Sequence, residues 1–379
     1  MKNLKVGIEK INAYIPEYYV DLEELAVRRD VPVTKWTIGI GQDKMAIIPN
    51  SQDIVSMGAN AAYEFIVESD KTSIDQIIFA TESGIDFSKA ASTYLQELLD
   101  INGFVRAYEI KQACYSTTAA LQIAKDYVTL NPDRKVLVVS ADIANYGKET
   151  SSEVTQGAGA VALLISSNPE ILEITQETVF STANEYDFWR PNNHDYPLVD
   201  GKYSIDIYNN AFKKCFYEFD NKYGNLDELE AMVFHLPFTK MQKKALESVE
   251  EDKYADLQER WSAHFTNNAK LCRNIGNIYS GSLYLSLISL LHYGDLEAGK
   301  KIGLFSYGSG AVGELFTGIL GENYKEKIAL VKVDDKLARR QAVSLDDYDD
   351  KYFTGKLVLE DNSHFKLNEI IDDKRTYSV

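Results

Sequence analysis

The chain reads as an α/β protein in which helices sandwich a sheet, built from two related halves. Three observations carry that expectation. Short β-branched runs alternate with amphipathic stretches through the first 165 residues. The alternation resumes beyond residue 200. A glycine-rich turn feeding an apolar strand recurs late in each half, GAGAVALLI at 157–165 and GSGAVGELF at 308–316.

The opening MKNLKVGIEKINAYIP interleaves charge with apolar residues in strand fashion, unlike a basic segment leading into an apolar leader. Strands are expected over 74–80, 105–110, 135–140 and 160–165, and helices over 51–69, 88–99 and 117–130. In 117–130, Ala120, Leu121, Ala124, Tyr127 and Val128 share one helical face, and Asn131-Pro132 supplies the stop. The second half has helices over 208–219, 240–249 and 283–292 and strands over 231–234 and 301–306. Between the halves, 180–204 has loop composition but many large rings, so it should pack as an ordered loop over a site. The acidic run DDYDD at 346–350 reads as a solvated turn.

With 379 residues, 45% hydrophobic and 26% charged, the composition is that of an ordinary globular protein with a sizeable core. A net charge of −17 repels a phosphate backbone, so nucleic acid is excluded as a partner. The longest apolar run, 284–293, is far short of the ~20 residues that span a bilayer. Three cysteines, Cys114, Cys215 and Cys272, make no disulfide framework, and a cytoplasmic location with reduced thiols is expected. Five histidines without HExxH or HxxxH spacing, and no CxxC, give no sign of a metal.

Cys114 stands in KQACYSTTAA, where an expected strand meets the start of the 117–130 helix. A thiolate there would face unsatisfied N–H groups, which lowers a cysteine pKa and makes the sulfur nucleophilic. Cys215 and Cys272 lack that placement and read as buried structural thiols. Glu82 ends the 74–80 strand in ATESG, where desolvation would raise its pKa toward general acid/base use. His235 ends the 231–234 strand in the other half, at a similar place. Together the three residue types form a nucleophile, an acid/base and an orienting group.

The strings ATESGID (80–86), YEIKQACYSTTAAL (108–121), VSADIANYG (139–147), QGAGAVALLI (156–165), DFWRPNN (187–193), YPLVDGKYS (196–204), FHLPFTKM (234–241), NIGNIYSGSLYLSL (274–287) and GLFSYGSGA (303–311) occur in order, with TKWTIGIGQDKMAI (34–47). They resemble hydroxymethylglutaryl-CoA synthase in its bacterial mevalonate-pathway form, over nearly the whole chain. The resemblance implies a thiolase-like duplicated fold with a five-layered αβαβα core, usually a homodimer. The halves would be 1–166, carrying Glu82 and Cys114, and 167–379, carrying His235.

It further implies that acetyl-CoA and acetoacetyl-CoA are condensed, CoA thioesters being substrates and no cofactor being required. Cys114 would carry the acetyl group, Glu82 would be the base, and His235, with Asn277 alongside, would polarise the acetoacetyl ketone. The backbone of Cys114 and Ser309 would form the oxyanion hole, with Gly308 and Gly310 permitting close approach. Tyr146, Thr155 and Ser204 match further substrate positions, and Lys240 and Lys244 match lysines that hold CoA phosphates. One departure is Val31-Pro32-Val33, where the family commonly has an Asp near the CoA site.

A degradative thiolase would carry a late Cys-x-Gly, whereas Arg273-Asn274 follows Cys272. A ketoacyl-carrier synthase of the third kind would read His-Gln-Ala-Asn, whereas this chain has His235-Leu-Pro-Phe. The remaining alternatives are a polyketide β-branching synthase using acyl-carrier-protein substrates, which the overall acidity disfavours, and a non-catalytic thiolase-fold scaffold.

Overall fold

A computed structural model describes residues 4–379. Nine strands form one mixed sheet: β1 (Gly7–Tyr14), β2 (Ile74–Ala80), β3 (Arg106–Ile110), β4 (Lys135–Ala144), β5 (Gly157–Ser166), β6 (Leu172–Thr182), β7 (Leu229–Phe234), β8 (Lys301–Gly308) and β9 (Val312–Leu320). Their spatial order is β7-β8-β9-β6-β1-β5-β4-β2-β3. The run β2-β4-β5-β1 has one parallel pairing followed by two antiparallel ones. The run β7-β8-β9-β6 repeats that order and those directions. The repeated glycine-rich strings fall on β5 and on the turn into β9, matching positions of the two runs.

Among the described residues the runs join through two residue pairs, Gly7↔Glu173 and Ile8↔Leu172. A Cβ on Gly7 would lie 2.1 Å from the Leu172 carbonyl oxygen, so the junction needs a residue without a side chain.

Strand alternation divides the first run between two layers. Ile77, Phe79, Leu137 and Val139 face helices α1 (Ile54–Tyr63) and α2 (Ala91–Leu98), whereas Ile78, Ala80, Val136 and Val138 face α3 (Ser116–Leu130). The second run packs against α4 (Gly201–Tyr223) and α5 (Glu251–Ser262) on its outer side. Its inner side meets α6 (Ser282–Tyr293). Helices α3 and α6 form the middle layer, linked at 3.0 Å between the Thr118 and Tyr284 hydroxyls. The result is the expected five-layered α/β core.

The expected strands and the 117–130 and 283–292 helices stand within a few residues of their sequence limits. The 51–69 helix instead ends at Tyr63 and a short one, Glu68–Ser73, follows. Asp70 starts that second helix by accepting the Val67 N–H at 3.1 Å, and it is held by Lys10 and Lys135 at 2.7 and 2.9 Å. Strand β6 and helix α5 were not legible, since LEITQETVFST is largely polar and α5 has few apolar residues. Trp261 nonetheless buries α5 against the sheet, its Nε1 donating to the Leu229 carbonyl at 2.9 Å.

The 346–350 run is not a solvated turn. It lies in a helical segment whose Tyr348 is fully buried and whose Asp349 pairs with Arg29. Of its four aspartates, Asp346 and Asp350 are exposed and Asp347 is half-exposed, whereas Asp349 neutralises a buried guanidinium, so charge density alone does not describe the run.

No helix among the described residues is long and apolar enough to cross a membrane, and no group of three metal-ligating side chains gathers among them.

Candidate active site

Strand β3 runs into a tight turn in which Ala113 takes a positive φ of 43°. Ser116, the first residue of α3, accepts the Gln112 N–H at 2.7 Å and donates to the Ala113 carbonyl at 2.7 Å. The turn aims Cys114 at the end of β2, where its Sγ–H donates to Glu82 Oε1 at 3.0 Å.

Glu82 is placed by Asp142, a fully buried carboxylate on β4. Asp142 accepts the Glu82 N–H at 3.0 Å, the Ser83 N–H at 3.0 Å and the Thr81 hydroxyl at 2.8 Å. Its other oxygen takes the Ser280 N–H at 3.1 Å and the Ser280 hydroxyl. Burial first, and then the Asp142 charge, push the Glu82 carboxyl up to about 8. Burial, followed by the Glu82 charge, raises the Cys114 thiol well above its ordinary value. The expected lowering by the helix start does not appear: the sulfur is enclosed beside a carboxylate, which outweighs the fractional charge of the α3 N-terminus. At rest the pair is a thiol hydrogen-bonded to a carboxyl group, ready to pass a proton.

His235 continues β7, its N–H donating to the Phe305 carbonyl at 2.8 Å while Tyr208 caps its own carbonyl at 2.7 Å. Burial alone depresses the imidazole to about 3, and Nδ1 has no hydrogen-bond partner among the described residues. The ring is therefore neutral near pH 7, with polar capacity left for a ligand.

Asn277 follows Gly276, whose φ of 90° only a glycine takes readily. Its Oδ1 accepts the Tyr279 N–H and the Ser282 hydroxyl, both at 2.8 Å, leaving Nδ2 to donate to the Tyr146 hydroxyl at 3.3 Å.

The 308–310 turn presses on the Cys114 loop. A Cβ on Gly308 would come within 2.6 Å of the Gln112 carbonyl and 2.7 Å of Tyr115 N, so glycine is required. Gln112 Nε2 donates to the Ser309 carbonyl at 3.2 Å. Buried Asp187 holds the turn by accepting the Gly310 N–H at 2.9 Å and the Tyr307 hydroxyl at 2.7 Å. Asp187 comes from the aromatic 180–204 segment, which packs over the site as expected. Its Phe188 lies in the cavity wall, and Arg190 donates to the Glu82 carbonyl at 3.1 Å.

Cys114, His235, Asn277, Ser309, Tyr146, Thr155 and Ser204 all line one cavity of about 290 Å³. Glu82 reaches it through its contact with the sulfur. Lys240 and Lys244 lie off its wall, one helical turn apart (Lys244 N–H to the Lys240 carbonyl, 3.2 Å), beyond Phe238 and Met241. Neither lysine belongs to an ion pair among the described residues, unlike Lys243, which pairs with Glu247 at 3.4 Å. Sequence reasoning missed Asp142 and Asp187. Both sit in strings quoted above, VSADIANYG and DFWRPNN, but nothing in a string shows that a carboxylate is buried and saturated with donors.

Family models described as hydroxymethylglutaryl-coenzyme A synthase N terminal and C terminal match residues 2–170 and residues 176–270 and 249–372. The chain is 45% identical to the hydroxymethylglutaryl-CoA synthase of Enterococcus faecalis, over 99% of this chain and 100% of that one. It is 31% identical to a polyketide biosynthesis 3-hydroxy-3-methylglutaryl-ACP synthase of Bacillus subtilis, over 91% and 87%. Among solved structures, an HMG-CoA synthase complexed with CoA matches with a TM-score of 0.93 at 39% identity, covering 99% of both chains. The curacin-pathway HMG synthase in complex with its holo donor-ACP matches at 0.91 and 28% identity, covering 99% of both chains. The chain belongs to the hydroxymethylglutaryl-CoA synthase family.

Proposed function

We propose that this chain condenses acetyl-CoA with acetoacetyl-CoA and water to give 3-hydroxy-3-methylglutaryl-CoA and CoA, through an acetyl group carried on Cys114. The observation that carries the reading is the Cys114–Glu82 pair at 3.0 Å, sharing one cavity with a neutral His235.

In the first stage ionised Glu82 takes the thiol proton as sulfur attacks the acetyl carbonyl. The departing CoA sulfur leaves with that proton, restoring the carboxylate. The backbone N–H groups of Cys114 and Ser309 hold the developing oxyanion. In the second stage Glu82 removes a proton from the acetyl methyl, and the carbanion attacks the ketone carbon of acetoacetyl-CoA. His235, with Asn277 beside it, donates a hydrogen bond to the forming alkoxide, a task suited to an imidazole that is neutral and carries a free nitrogen, and the alkoxide takes up the proton that Glu82 holds, restoring the carboxylate. Water then cleaves the Cys114 thioester, releasing product and returning the thiol. Tyr146, Thr155 and Ser204 complete the wall around the acyl groups.

The cavity matches an acyl chain rather than a whole coenzyme, so the CoA phosphates would rest outside it on Lys240 and Lys244. Two unpaired lysines on one helix turn give a strongly acidic protein a local anion site. CoA thioesters are consumed as substrates, and no cofactor or metal takes part in these steps. Residues 1–166 and 167–379 would be the two functional halves, a division supported by the repeated strand order. A cytoplasmic homodimer fits as well. Strand β3 leaves one sheet edge open beside Phe87 and Phe104, which are 93% and 98% exposed, and the three cysteines are free.

The test is intact-protein mass spectrometry after brief exposure to acetyl-CoA, then a chase with acetoacetyl-CoA. The expected result is one acetyl mass on the Cys114 peptide, discharged as hydroxymethylglutaryl-CoA appears. An adduct formed only from an acetyl carrier protein would move the chain to the polyketide branch. No adduct from either donor would revive the scaffold reading.

A further inference from the structure

Between Tyr146 and Thr155, two residues of the cavity wall, the chain makes a turn with no apolar anchor of its own except Val154. What holds the turn is a nearly buried charge. Glu153, 1% exposed, accepts from Arg29 Nε and Nη2 at 2.9 Å each and from the Glu149 N–H at 3.0 Å. Arg29 is shared with Asp349, at 3.1 Å from Nη1 and 2.6 Å from Nη2. The Tyr348 hydroxyl donates to Glu153 Oε1 at 3.0 Å and accepts from Gln156 Nε2 at 3.0 Å. Gln156 Oε1 in turn accepts the backbone N–H of Tyr146 at 2.8 Å. On the other side of the turn, the Thr155 carbonyl accepts the Asn277 N–H at 3.3 Å.

We propose that the buried chain Arg29–Glu153–Tyr348–Gln156 is a positioning element that fixes Tyr146 and, through Thr155, Asn277 against the reacting acyl groups. This rests on the reading above that Tyr146 and Asn277 face substrate. The cost of burying such a charge set makes sense when its donors and acceptors are matched around one geometry. Here that geometry ties the N-terminal helical segment, the 150–156 turn and the C-terminal 345–352 segment to one wall of the cavity. Nothing in the chain touches Cys114 or Glu82, so its effect should fall on the condensing stage and spare acetylation.

The decisive measurement is turnover per acetylatable site. The fraction of chains that take acetyl from acetyl-CoA is counted by mass, and hydroxymethylglutaryl-CoA formation is divided by that count. Glu153→Gln should keep the acetylated fraction and lower turnover per site about tenfold, the scale of a small misplacement of a contact group. Tyr348→Phe, which removes one hydroxyl from the same chain and is the milder variant if Glu153→Gln fails to fold, should lower it about threefold. Its effect should shrink when combined with Tyr146→Phe, since the two then act along one path. Unchanged turnover per site in Tyr348→Phe, with only the acetylated fraction or the melting temperature reduced, would show the cluster to be a fold anchor and overturn the proposal. Full additivity with Tyr146→Phe would overturn it too. Failure of the unmodified protein to acetylate would instead strike the functional reading itself.

Discussion

The two halves of the sheet carry their proposed reacting groups at matching strand ends, Glu82 after β2 and His235 after β7, and burial treats the two in opposite ways. Burial first, and then the Asp142 carboxylate behind it, raise the proton affinity of Glu82 against the opposing hydrogen bond from the Cys114 thiol, into the range where it can both take and give a proton. His235 has no ionic neighbour, and desolvation alone lowers its proton affinity, leaving an imidazole that stays neutral down to about 3. Duplicated architecture therefore supplies two equivalent sites, and the difference in local charge is what supports the proposed division, proton transfer at Glu82 and polarisation at His235.

That division is broken most severely at Cys114. Cys114→Ala should abolish the acetyl-enzyme and lower overall turnover at least about 10⁴-fold, and an acetyl mass surviving on the variant would sink the nucleophile assignment. Glu82→Ala should come next. Product formation should fall about 10³-fold, with acetylation slowed but still measurable, because the sulfur loses its proton acceptor as well as the methyl its base. In the unsubstituted protein, kcat/KM for acetyl-CoA should rise with pH through about 8 as Glu82 ionises, and a flat profile from pH 6 to 9 would contradict that role. His235→Ala should lower kcat/KM for acetoacetyl-CoA about 10²-fold with little effect on acetylation. Equal loss in both stages would make His235 a structural residue.

The three residues proposed to react were legible as candidates because each stands where a strand ends and a helix or loop begins, a place that periodicity and turn residues mark. Tyr146, Asn277 and Ser309 became visible only through their strings, since a lone tyrosine, asparagine or serine has no local signature of function. Asp142, Asp187 and Glu153 were illegible for a different reason. Their roles depend on donors contributed by segments far away in sequence: Asp142 by Ser280, Asp187 by Tyr307 and Gly310, Glu153 by Arg29 and Tyr348. The pKa of Cys114 was misread by the same limit. The helix start was visible in sequence, but the carboxylate at 3.0 Å from the sulfur was not.

The smallest effect is also the one that sets the two halves most directly against each other. Folded Glu82 keeps its proton up to about 8, whereas an unfolded chain loses it near 4.5, so between those values the folded state binds more protons and stability falls as pH rises. Folded His235 stays neutral down to about 3, whereas an unfolded imidazole protonates near 6.5, so between those values the unfolded state binds more protons and stability rises with pH. Glu82→Gln should therefore gain on the unsubstituted protein as pH increases from 4.5 to 8, by about 2 °C in melting temperature, a modest shift because part of Glu82 remains open to water. His235→Leu should gain in the opposite direction, as pH decreases from 6.5 toward 4.5, whatever its absolute stability. Melting curves at four pH values give both differences. Gaps that move in the same direction, or not at all, would mean that the two strand ends share one electrostatic environment, and the assignment of proton transfer to one half and polarisation to the other would lose its basis.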